Sequence, residues 1–179
     1  MTEYAWIDGY EAYCFTVIHG LLEDDVIRRL GGNPSDSTRM TFEECFWFPD
    51  KPQWVQVGTV GSGAVLVAEH NGWRGSDDDA LALSKGARMT SFFRNVHAVM
   101  WFGYAADGAL LAGFDPLLEK RPEAGADPRC LDALLTGLDF GLDAAEPNAM
   151  MLLERVTGVQ VGPNWLGKSQ RAVCLPPLR

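Results

Sequence analysis

The sequence has few of the residue patterns that mark catalytic, metal-binding or membrane proteins. Its four cysteines, Cys14, Cys45, Cys130 and Cys174, show no C-x-x-C spacing and no histidine at ligand distance in sequence, so no zinc site is expected. The three histidines, His19, His70 and His97, lack the i, i+4 spacing of a metal pair. No Lys-Ser or Lys-Thr follows Gly58-x-x-Gly61-x-Gly63, which excludes a phosphate loop there. Gly61-Ser62-Gly63 departs from the G-x-S-x-G pattern and reads as a hairpin turn. Apolar stretches such as Ala98 to Tyr104 fall far short of the roughly 20 residues of a membrane helix. Basic charge is scarce: 15 Lys and Arg stand against 24 Asp and Glu, a formal net charge of -9. The basic pair Arg28-Arg29 is preceded by Glu23, Asp24 and Asp25, so no patch suits a polyanion. A nucleic-acid partner is therefore not expected, and a basic protein surface is the better match. Met1-Thr2-Glu3-Tyr4 has neither the basic segment nor the apolar run of a signal peptide. The expectation is a cytoplasmic protein with reduced thiols, no membrane association and no cofactor.

What is present is the material of a core. The 179 residues are 47% hydrophobic and 11% aromatic, which fits one globular domain over 1–179 with a loosely packed tail at 159–179. Trp6, Ile7, Tyr10 and Tyr13 fall at helical spacing, and Cys14 to Ile18 follows as a strand or as more helix. Leu22 to Leu30 reads as a helix with acidic residues first, arginines last and Gly31-Gly32 as the stop. Thr41-x-x-Glu44 has the form of a capping box before a short helix ending near Pro49. Trp54 to Val60 and Gly63 to His70 read as a hairpin around Gly61-Ser62. Ser76 and its three following aspartates start a helix closed by Lys85-Gly86. Segments 87–94, 97–105 and 109–114 are strand-like, with Asp107-Gly108 as a turn; the middle one, apolar on both parities, reads as central. Asp127-Pro128 and Pro147 each open a C-terminal helix, and the tail holds a short helix and an edge strand or partial disorder. The fold class is α+β: a mainly antiparallel sheet of about five or six strands with helices packed on it, two of them C-terminal.

Two polar turns are the places where a ligand could bind. Glu69-His70-Asn71-Gly72-Trp73-Arg74-Gly75-Ser76 puts a carboxylate, an imidazole, an amide and an indole between a strand and a helix start. The structural alternative assigns Asn71-Gly72 to a turn, Ser76 to a cap and Trp73 to core cover. Glu69 follows Val65 and Val67 on one strand face, so it must find a partner or shift its pKa. Arg94-Asn95-Val96-His97 forms the second cluster, which lies at the same end of the sheet if the strands pair in order. An Arg94–Glu69 ion pair is conceivable there. The candidate binding residues are thus Glu69, Asn71, Trp73, Arg94, Asn95 and His97, with no catalytic or metal-ligating residue assigned.

The stretch Glu69 to Ser76, with Leu83-Ser84, Arg94-Asn95-Val96, Tyr104 to Gly108, Cys14-Phe15-Thr16, Leu30-Gly31-Gly32 and Val156 to Val159, resembles an uncharacterised family of actinobacterial single-domain proteins. That resemblance implies an acidic domain and carries no catalytic residue with it. Two functional expectations remain. The favoured one is a non-enzymatic interaction module, immunity-like or regulatory, that meets a basic partner through an acidic face at Glu23 to Asp25 and Asp77 to Asp79. The alternative is a small-molecule binder or hydrolase built on Glu69, Asn71, Trp73, Arg94 and His97, which requires those side chains to converge on a pocket.

Overall fold

The computed structural model describes residues 4–61 and 63–177, apart from the side chains of 78 and 79. Ser62 of the expected turn and the Asp78 and Asp79 carboxylates therefore lie outside the described residues. One eight-stranded sheet organises the chain: β1 Tyr13–His19, β2 Thr38–Met40, β3 Gln53–Val60, β4 Ala64–His70, β5 Arg88–Arg94, β6 Met100–Ala106, β7 Ala109–Phe114 and β8 Gln170–Leu175. Their spatial order is β2-β8-β3-β4-β1-β5-β6-β7, with every neighbouring pair antiparallel. The α+β class and the antiparallel sheet agree with the sequence; the count of five or six strands is too low. β2 has only three residues, too few to show a two-residue repeat.

Three α-helices are formed among the described residues: α1 Glu23–Arg29, α2 Ala145–Thr157 and α3 Pro163–Leu166. Ala145, Ala149, Leu152 and Leu153 recur at helical spacing and bury one face of α2, which ends at Gly158 with φ 70°. The expected helix after Asp127-Pro128 is instead a succession of turns, with Cys130 N bonded to Asp127 O and Leu134 N to Leu131 O. Leu131, Leu134 and Leu135 still pack on the α2 side of the core, so the leucines are placed by burial without a continuous helix. The capping box forms, with Thr41 N donating to Glu44 Oε2 at 2.7 Å, but it closes only the 3-10 turn Glu43–Cys45. Asp78–Ser84 is likewise 3-10, as is Ala5–Gly9.

Both sheet faces are covered. Tyr13, Phe15, Leu66, Phe92, Phe102 and Phe114 meet α2 and Ala5–Gly9 on one side. Ile18, Val57, Val67, Met89 and Val173 meet Val26 and Ile27 of α1 and Leu83 on the other. Each fully buried side chain of this size contributes about 1.5–3 kcal/mol. Double coverage explains why β6 is apolar at both parities although it lies next to the edge strand β7. The tail strand β8 is not an edge either: it runs between β2 and β3. That insertion carries Pro176 and Pro177 to the end of the sheet where β4 delivers Glu69.

Candidate functional site

Glu69 is buried at 1% exposure, on the α1 face of β4 and opposite Cys14 of β1. Asn71, at φ 60°, turns the chain back over that face, a left-handed conformation that asparagine tolerates. Its Nδ2 donates to Trp47 O at 2.8 Å and its N–H to Ala12 O at 2.9 Å. The returning loop then closes on the carboxylate: Arg74 N–H donates to Oε2 at 2.9 Å and Gly75 N–H to Oε1 at 2.8 Å. Gln53 Nε2 adds a third donor, to Oε2 at 2.9 Å. The approach is close enough to require glycine. A Cβ at Gly75 would sit 1.9 Å from Thr16 Oγ1, and one at Gly72 would sit 2.6 Å from both Gln53 Nε2 and Glu69 Oε2.

Burial pushes the Glu69 pKa above the ordinary carboxylate range, and the N–H groups of Gly75 and Arg74 pull part of the way back. Burial, then the neighbouring Glu69 charge, also push the Cys14 thiol well up, away from a reactive thiolate. Glu69 therefore acts as an internal anchor for the loop, with its oxygens turned from solvent.

His70, the next residue, faces the other side. Its ring stacks on Phe42 at 4.6 Å, with Tyr10 and Phe46 edge-on. Burial lowers its pKa, opposed by the Glu43 carboxylate and the Phe42 carbonyl. The second cluster lies on that same α2 face. Arg94 Nε is 3.0 Å from Glu146 Oε1, with its N–H turned off the line of the contact, and Nη1 donates to Glu11 O. Tyr13 OH donates to Glu146 Oε2 at 2.6 Å, and burial together with Glu146 raises the phenol pKa. Arg94 and Glu69 thus reach the same end of the sheet on opposite faces, and the conceivable ion pair between them is replaced by Arg94–Glu146. Asn95 closes its own turn, its Oδ1 accepting from the N–H groups of His97 and Val99 at 2.9 and 3.0 Å. His97 is exposed at the tip. Of the candidate set, Glu69, Asn71 and Trp73 belong to one assembly; Arg94, Asn95 and His97 do not join it.

Outside the anchored loop, Trp73 packs edge-on against Trp47 with ring centroids 4.9 Å apart. The two indoles border a groove of about 970 Å³, whose wall includes Arg74, Lys51, Asp50 and Asp36, with Pro52 and Pro176 on its rim. Trp47 is held by its Nε1–H, which donates to Lys51 O at 2.9 Å, closing the segment 47–51 as a turn. The sequence places Trp47 in a short helix and gives no role to Gln53, Arg74 or Asp50, whereas in the structure the 3-10 turn ends at Cys45 and Trp47 lies beyond it. The available signal was the run Phe46-Trp47-Phe48 followed by Pro49 and Pro52, aromatic density between turn formers. Among the described residues no group of three or more His, Cys, Asp or Glu could hold a metal ion, and no helix is long and apolar enough to cross a membrane.

The first acidic cluster is largely engaged within the fold. Arg171 Nη1 is 2.7 Å from Asp24 Oδ1 and 3.4 Å from Glu23 Oε2, Thr59 N–H donates to Glu23 at 2.8 Å, and Arg28 pairs with Asp24 and Asp25.

Fold and groove together define an α+β protein whose antiparallel sheet is covered on both faces and carries an aromatic groove at one end. Over residues 1–177 the sequence matches a family of unknown function, DUF6461, and the chain belongs to that family. No curated protein and no solved structure matches it.

Proposed function

We propose that the protein is a non-enzymatic binding module and that its partner engages the Trp47/Trp73 groove. The observation that carries this reading is the contrast between inward and outward groups at one loop. Glu69, the residue with the strongest claim to acid–base chemistry, is bonded by its own loop and by Gln53 of β3, whereas Trp73 of that loop and Trp47, whose carbonyl accepts from Asn71, border an open groove. Aromatic side chains held rigidly by short turns are efficient binding anchors, because little side-chain entropy is lost on association. The net charge of -9 favours a basic protein as partner and speeds its approach.

The test compares three immobilised baits in native lysate at low and moderate salt: wild type, Trp73→Ala, and Asp25→Asn on α1. A protein retained by wild type and Asp25→Asn but lost from a Trp73→Ala bait that still melts cooperatively is the expected result. Equal retention by all three, or no retention by wild type at either salt, overturns the reading.

A further inference from the structure

We propose that the groove takes a guanidinium group carried on an extended, arginine-bearing segment of a protein partner; this rests on the groove being the binding surface. The polar groups on its wall divide into those already engaged within the fold and those left open. Arg74 is turned into the fold, its Nε–H donating to Gln53 Oε1 at 2.8 Å and its Nη2 to the Pro176 carbonyl. The Lys51 ammonium lies 5.2 Å from the Phe48 ring centroid. Each resident cation thus has a partner of its own. The carboxylates differ. Asp50 has no hydrogen bond or ion pair among the described residues, and Asp36 accepts one hydrogen bond, from Asn33 Nδ2 at 2.9 Å.

What the groove offers an incoming group is therefore carboxylate oxygen and the π surface of Trp47 and Trp73. Both attract cations. A guanidinium uses both together, since it stacks flat on an indole and donates in parallel to a carboxylate, and it loses less hydration than an ammonium. The two acidic and two basic side chains balance on the wall, so local attraction comes from placement, while the whole-chain charge of -9 supplies the long-range pull. A single guanidinium fills only a small part of about 970 Å³. The remaining space, edged by Pro52 and Pro176, suits the stem and flanking residues of an extended chain.

The experiment follows the indole N–H resonances of Trp47 and Trp73 in the full chain, assigned with Trp47→Phe and Trp73→Phe, during titration with blocked tri-arginine, tri-lysine and tri-citrulline peptides. Tri-arginine is expected to move both signals saturably, tri-lysine to bind more weakly and tri-citrulline, the uncharged isostere, to leave them in place. Asp50→Asn should weaken tri-arginine binding about fivefold. Equal binding of tri-citrulline, equal binding of tri-lysine, an Asp50→Asn variant as tight as wild type, or no movement with tri-arginine overturns the inference. If tri-arginine fails while retention of a partner still depends on Trp73, the groove remains the binding surface and only its preference for a guanidinium falls. If tri-arginine binds while partner retention ignores Trp73, the functional reading falls instead.

Discussion

The turn after β4 and the turn after β5 start from equivalent places, since Tyr13 of β1 lies opposite both His70 and Arg94. They are nevertheless fastened in opposite ways. The first folds back over the α1 face, where Gly72 and Gly75 let its backbone descend onto Glu69, and the polar atoms so consumed leave Trp73 held at the rim of a groove. The second closes on itself through Asn95, while Arg94 is drawn to Glu146 and helps attach α2 to the other face. Comparable densities of polar residues therefore produce one groove wall and one structural tie. The deciding factor is backbone: a loop that can approach a buried carboxylate satisfies it largely from main-chain N–H groups, which leaves Trp73 free to border the groove.

The sharpest way to break the comparison is Gly75→Ala. Its Cβ would clash with Thr16 Oγ1, so a loss of about 3 kcal/mol is expected in urea denaturation, with displaced Trp73 and Trp47 indole signals. Glu69→Gln comes next. An amide cannot accept from the donors on both sides, and the unsatisfied one costs about 2 kcal/mol. That cost has a pH signature. A carboxyl whose folded pKa is raised gives its full stability below the ordinary carboxylate range and loses it as the pH rises through the folded value. Denaturation midpoints measured from about pH 4 to about pH 8 should therefore show the deficit of Glu69→Gln largest at the acid end and narrowing upward. Tyr13→Phe probes the other face: loss of the hydrogen bond to Glu146 should lower stability by about 1.5 kcal/mol and leave the groove indole signals unmoved. Smallest of all, His97→Ala at the exposed turn tip should stay within about 0.5 kcal/mol of wild type in the same melts.

Several elements were legible because their causes are local. The bounds of α1 follow from its acidic first turn, basic last turn and Gly31-Gly32, all within a few residues of one another. The β3–β4 hairpin and the β6–β7 turn at Asp107-Gly108, with φ 52° and 84°, are set by turn chemistry in the same way. Where the structure departs from the sequence reading, the cause is remote in sequence. β2 exists because Thr38 to Met40 pairs with Ala172 to Gln170, and the aromatic segment after Cys45 is not helical because Trp47 N–H is bonded to the His70 carbonyl. At the site, Glu69 could be picked out because it follows Val65 and Val67 on one strand face, and Asn71 and Trp73 because they lie between a strand and a helix start, but Gln53 and Trp47 could not, since their partners lie across strands.

Composition and periodicity by themselves determined that this chain builds an acidic α+β domain with an antiparallel sheet, because burial and turn propensity act over a few neighbouring residues. Only the tertiary structure decided how the polar turns are used. Which face a side chain takes, and whether a carboxylate meets a guanidinium, a phenol or the backbone of its own loop, depends on strand order and register, and these are fixed by pairings between residues far apart in sequence, such as Cys14 with Glu69 and Tyr13 with Arg94. The clusters that the sequence presents as alike were separated by that register, one to each face of the sheet.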